Sequence, residues 1–122
     1  MFDGIGSNPM VAKLQAAVAF TARRHELIAN NIANIATPGY RAQDLSEKDF
    51  VKALADATVR PDKAFKVIDS PDAGAVRPDG NNVSIEREMS RLSKNVIRHN
   101  VLIAMLDRQI RSIESALRER VT

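Results

Sequence analysis

SIEREMSRLSKNVIRHNVLIAMLDRQIRSIESALRERVT, residues 84–122, carries apolar side chains at Ile85, Met89, Leu92, Val96, Ile103, Leu106, Ile110, Ile113 and Leu117, with His99 in the remaining slot. Steps of four and three alternate throughout, which predicts one continuous helix with an apolar seam over residues 84–120. At ~1.5 Å per residue it is roughly 54 Å long, more than a compact domain of this size is wide, so an elongated molecule is expected. Ser84 suits the N-cap, and Glu86 and Glu88 complement the positive end of the helix dipole.

A seam needs a partner, and the other end of the chain supplies one. Val11, Leu14, Val18, Thr21, His25, Ile28, Ile32 and Ile35 keep the same rhythm. Asn8 followed by Pro9 is a helix start signal, so the N-terminal helix is placed at residues 9–36. The turnaround between the two favours an antiparallel pair within the chain, in one register of which His25 faces His99; the competing arrangement is a parallel pair between chains. Off the seam, Ile97, Val101, Leu102 and Met105 make the C-terminal helix apolar nearly all round, and Ala17, Ala22, Ala29 and Ala36 flank the other seam. A helix of that kind expects neighbours on several sides, so the first four are assigned to packing between subunits.

The 122 residues include four Phe, one Tyr, no Trp and no Cys, so an aliphatic core is expected, with no disulfide and no thiolate metal site. The net charge of +3 raises nucleic acid as a partner. Arg87, Arg91, Lys94 and Arg98 lie on what reads as an outer face, but Glu86, Glu88, Asp107 and Glu114 intersperse them and no aromatic platform accompanies them; a solvated or inter-subunit face fits better. No stretch approaches the ~20 apolar residues of a membrane span. The leader MFDGIGSNPM has an acid where a signal peptide has bases, so cleaved export is not expected; it reads as flexible, and Pro9 occupies the third glycine position of a nucleotide loop. The histidines are isolated, Glu86 and Glu88 face different sides of their helix, and no nucleophile elbow, Walker loop or HExxH appears, so neither metal, cofactor nor catalysis is expected.

Between the helices, residues 37–83 hold a turn, a short helix and loops. Arg41–Leu45 reads as extended. Ser46 and Asp49 resemble a capping box opening a helix over Glu47–Ala57 that presents Phe50, Val51 and Leu54. Pro61, Pro71, Pro78, Gly74 and Gly80 break longer elements, leaving room for one short strand at Ala64–Ile68 and a chain reversal at Asp79-Gly80. The fold class is all-α: long terminal helices paired as an antiparallel coiled coil in one elongated domain, 1–122.

The N-terminal helix ends in NNIANIATPGYR, residues 30–41. Asn is a poor helix-interior residue, and Pro38-Gly39 suits a type II turn with Gly at positive φ, so a stop and a sharp turn are explained. The repeated use of Asn is not. Asn31, Ile32, Ala33, Asn34, Thr37, Pro38, Gly39 and Tyr40 resemble the N-terminal signature of the bacterial flagellar axial proteins, the rod, hook and related components, whose pattern is Asn-hydrophobic-Ala-Asn, two residues, then Thr-Pro-Gly-aromatic. A second stretch, Asp79, Gly80, Asn81, Asn82, Val83, Glu86, Glu88 and Met89, is similar to a segment of the proximal rod proteins of that family. The resemblance implies a structural subunit of the proximal rod in the periplasm. It further implies export through the flagellar type III apparatus, and contacts with copies of itself, other rod proteins and the adaptor joining rod to MS ring. Two rivals are a basic helical nucleic-acid binder and a small all-helical enzyme of the chorismate-mutase kind, which needs Arg and Glu converging on a pocket.

Overall fold

The computed structural model describes residues 8–121; the leader residues 1–7 and Thr122 lie outside them. The elements in order are α1 (Pro9–Ala33), β1 (Gln43–Leu45), α2 (Glu47–Ala55), α3 (Pro61–Ala64), β2 (Val67–Asp69) and α4 (Ile85–Val121). Asn8 caps α1 as its sequence implies, its Oδ1 accepting the Met10 and Val11 N–H groups at 2.9 and 3.2 Å. Ser84 Oγ accepts the Arg87 N–H at 3.4 Å at the start of α4. Ser46 makes no side-chain cap, and the Asp49 carboxylate accepts the Lys66 N–H at 3.0 Å. That bond holds the chain ahead of β2, which pairs antiparallel with β1 in the register Gln43–Asp69, Asp44–Ile68, Leu45–Val67.

The long helices pack antiparallel. Asn95 Nδ2 donates to the Thr21 carbonyl at 2.8 Å and Thr21 Oγ1 lies 2.7 Å from His99 Nδ1, while ten residues further along α1 Asn31 reaches back to Glu88. His25 and His99 line one groove, but His99 pairs with Thr21 and His25 is exposed.

Two expectations are corrected. The apolar stripe of α4 is not its inner face in the first half of the helix: Ile85, Met89, Val96 and Ile103 are 40–49 % exposed, whereas Glu88, Arg91, Asn95 and Leu102 are buried. The stripe 88, 91, 95, 99, 102 has helical spacing just as good, and periodicity cannot choose between two stripes when the rest of the chain supplies polar partners for one. Further along, Leu106, Ile110, Ile113 and Leu117 are half-buried as a seam. Leu102, assigned to contacts between subunits, is 6 % exposed and belongs to the chain's own core.

The core is also aromatic at its centre, contrary to the composition argument. Phe20 on α1 stacks tilted on Phe50 of α2 and edge-on against Phe65, both at 5.2 Å between ring centroids. Leu14, Ala17, Leu27, Leu45 and Leu102 surround them. Few aromatic residues suffice when three meet, since each buries a large area and such pairs add ~0.5–1.5 kcal/mol beyond it. Residues off the predicted seam of α1, Ala16, Ala17, Phe20 and Leu27, are therefore buried: α1 has one face for α4 and another for the middle of the chain.

Phe20→Ala should lower the unfolding free energy of the isolated chain by ~3–5 kcal/mol. Ile97→Ala, on the outward face, should change it by no more than ~0.5 kcal/mol. Urea denaturation of both variants measures the contrast.

Candidate functional site

The two sequence motifs, some forty-five residues apart, close on one another at the C-terminal end of α1. Local chemistry starts the arrangement. Asn34 caps α1, its N–H donating to the Asn30 and Asn31 carbonyls at 3.0 and 3.2 Å, its Nδ2 to the Asn30 carbonyl at 2.8 Å, and its Oδ1 accepting the Thr37 hydroxyl at 3.1 Å. The Tyr40 N–H donates to the Thr37 carbonyl at 3.2 Å across Pro38-Gly39, with Gly39 at φ +76°, the turn its sequence demands.

The remaining carbonyls at this helix end are satisfied from the second motif. Asn81 Nδ2, fully buried, donates to the carbonyls of Asn34, Ile35 and Thr37 at 2.9, 3.1 and 2.9 Å, and its Oδ1 accepts the Val83 N–H at 2.7 Å. Asn82 Oδ1 accepts the Ala42 N–H at 2.6 Å. Arg77, which the sequence reading did not single out, bridges the Ile35 and Val83 carbonyls with its two terminal nitrogens at 2.5 and 2.6 Å. The Gly39 N–H donates to the Asp79 carbonyl at 2.8 Å, and a methyl group on Gly80, itself at φ +86°, would stand 3.3 Å from the Gly39 Cα. One motif thus caps the helix on which the other is written.

Asn31 is the centre. Its Oδ1 accepts the Gln43 N–H and the Tyr40 hydroxyl, each at 2.9 Å, and its Nδ2 donates to the Gln43 carbonyl at 2.8 Å and to Glu88 Oε2 at 3.1 Å. All four hydrogen-bonding positions of the amide are used, and the outer edge of β1 is closed by a side chain. Ile32 is half-buried beside it, whereas Ala33, Pro38, Glu86 and Met89 face outward. Ile97, Val101 and Met105 are exposed, 49–66 %.

Glu88 continues into an ion chain between α1, β1, α2 and α4. Both its oxygens accept Arg91 Nη1 at 2.8 and 3.0 Å. Arg91 Nη2 stands 2.8 Å from Asp44 Oδ1, an ion pair without hydrogen-bond alignment. Arg24 donates to Asp44 Oδ1 at 2.9 Å and to Glu47 at 2.6 Å, and Arg98 donates to Glu47 at 2.9 Å while covering the Phe50 ring. Arg91 is therefore not on a solvated outer face. Three guanidiniums meet three carboxylates, so Arg and acid groups do converge, but as mutual partners. Partial burial alone would lift the Glu47 carboxyl; hydrogen bonds and charge from Arg24 and Arg98 outweigh it and hold the group below its ordinary range. A lowered carboxyl contributes stability above its unfolded value, lost as pH falls through the folded one. The pairing of Arg24 with Asp44 had no sequence signal, since twenty residues and a change of element separate them.

Burial, then the Glu88 carboxylate, raise the Tyr40 phenol above 10. Stability is accordingly undiminished below pH ~10 and falls as pH climbs through the raised value. With one Tyr and no Trp in the chain, phenolate absorbance reports this group alone: its midpoint should be higher in the native than in the denatured chain, and Glu88→Gln should bring the native value down. Asn31→Ala should remove at least ~3 kcal/mol of unfolding free energy, read by urea denaturation, because Gln43 and Tyr40 are left with unpaired polar groups.

A family sequence profile described as "Flagella basal body rod protein" matches residues 15–41, most of α1 and the turn that follows it. The chain is similar to the flagellar basal body rod protein FlgB of Yersinia enterocolitica, 27 % identical with 86 % of this chain and 90 % of the relative covered. It is similar to that of Escherichia coli at 29 %, covering 88 % and 97 %, and to that of Bacillus subtilis at 24 %, covering 88 % and 92 %. These comparisons lend nothing to a nucleic-acid binder. With two long paired helices joined by interlocked motifs, and with relatives at 24–29 % identity matched over most of their length, the chain is similar to the flagellar basal body rod proteins, structural components of the rod.

Proposed function

We propose that the chain is an elongated subunit of the proximal rod, lying in the periplasm and passing torque through many contacts shared with neighbouring subunits, with no catalytic role. The observation that carries this reading is the outward face of α4. Ile85, Met89, Val96, Ile97, Val101, Ile103 and Met105 are all 40–66 % exposed along one helix. Apolar surface that extensive on a soluble chain calls for protein partners. The partners in this reading are copies of the chain, other rod proteins and the adaptor between rod and MS ring, with delivery by the flagellar type III apparatus. An open, heterologous arrangement extends a tube, where a closed interface would stop it.

The motif junction sets the direction in which the chain leaves α1, and with it the side of α4 presented to neighbours. Gly39 tests this. A Cβ there meets nothing within 4 Å, so substitution acts through its positive φ. Alanine costs ~1–2 kcal/mol, and a β-branched residue is strained further. Gly39→Val should abolish rod assembly and swarming with the chain still expressed; normal motility in that variant would refute the assignment.

A further inference from the structure

The cleft between α1, α2 and α4, about 370 Å³, is bordered by Arg24, Arg91, Lys94 and Arg98 against only Asp44 and Glu47. Glu88 balances Arg91 from behind. Lys94, exposed at the edge, has no ion pair among the described residues, and Arg98 uses one terminal nitrogen on Glu47. The cleft thus carries one positive charge more than the chain itself neutralises.

An answering charge sits at the far end of α4. Thr21 is level with Asn95 and His99, so in the antiparallel pair Pro9, twelve residues earlier, is level with about residue 109. The dozen or so residues from Ile110 to Val121 therefore run roughly 18 Å beyond the start of α1. That extension bears a half-buried seam, Ile110, Ile113 and Leu117, and beside it Glu114, exposed and without an ion pair among the described residues. We propose that Glu114 of one copy places its carboxylate in this cleft of the next copy, against Lys94 and Arg98. The contact is heterologous and repeats from copy to copy, and it rests on the rod reading, in which such repetition has a use. Within one helix, residues 94 and 114 are about 30 Å apart, so the pair can meet only between chains.

The absence of cysteine makes this directly testable. A disulfide requires Cα atoms within ~7 Å. Purified full-length Lys94→Cys and Glu114→Cys chains, mixed under mild oxidation, should give a cross-linked heterodimer well above that from Lys94→Cys mixed with Glu86→Cys. Lys94→Glu should weaken self-association in sedimentation about five-fold, the ceiling for an exposed ion pair, and adding Glu114→Lys should restore it. Cross-linking no greater than the control, or a charge reversal that the second substitution does not rescue, overturns the proposal. If that happens while Gly39→Val still abolishes rod assembly, the rod reading stands and the acid entering the cleft is not this chain's own.

Discussion

The carboxamide of Asn31 accepts from a backbone N–H and a tyrosine hydroxyl, and donates to a backbone carbonyl and a carboxylate, all within 3.1 Å. A fully buried amide is costly unless each of its positions is met, and only one placement of the chain meets these four. That placement lays β1 alongside α1, brings the Tyr40 hydroxyl onto the Asn31 amide and draws Glu88, and so α4, into contact. Once β1 lies there, Asp44 comes under Arg24 and Arg91 and the ion chain closes behind it. Asn31 to Ala substitution would thus loosen three elements rather than one, and the rest of the middle segment hangs on the same anchor through Ala42, Asn82 and Ser70.

The orientation of α4 follows. A helix with one polar and one apolar stripe ordinarily buries the apolar one, yet here Glu88, Arg91 and Asn95 turn inward because Asn31, Asp44 and the Thr21 carbonyl await them. Replacing such a buried network with hydrophobic side chains is often neutral or stabilising, so its value lies in specifying a single arrangement. In this chain the arrangement it specifies leaves the greasy stripe for other subunits. Stability within the chain comes instead from the phenylalanine cluster, which lies beside the network, with Arg24 and Arg98 covering the Phe20 and Phe50 rings.

Much of this was legible in the sequence. The two long helices, their antiparallel pairing, the caps at Asn8 and Ser84, and the Pro38-Gly39 turn all follow from local signals, and local signals are what a single sequence carries. The inner face of α4 was misread because the choice between two equally periodic stripes is made by residues more than forty positions away. The burial of Leu102 and the aromatic core were missed for the same reason. The surplus of Asn in NNIANIATPGYR had no local explanation at all. The structure gives one for two of the three: Asn34 caps its own helix, and Asn31 binds the strand, the tyrosine and α4. Asn81, which finishes the helix end from across the chain, stood in the second motif, whereas Arg77, which bridges the Ile35 and Val83 carbonyls, lay in a stretch with no periodicity to read.

The central claim is that the isolated chain holds α4 polar side inward. Solvent paramagnetic relaxation of side-chain methyl groups in a dilute, monomeric sample tests it most directly. The account predicts strong enhancement at Ile97, Val101 and Met105 and weak enhancement at Leu102; protection of the first three with exposure of Leu102 would contradict it.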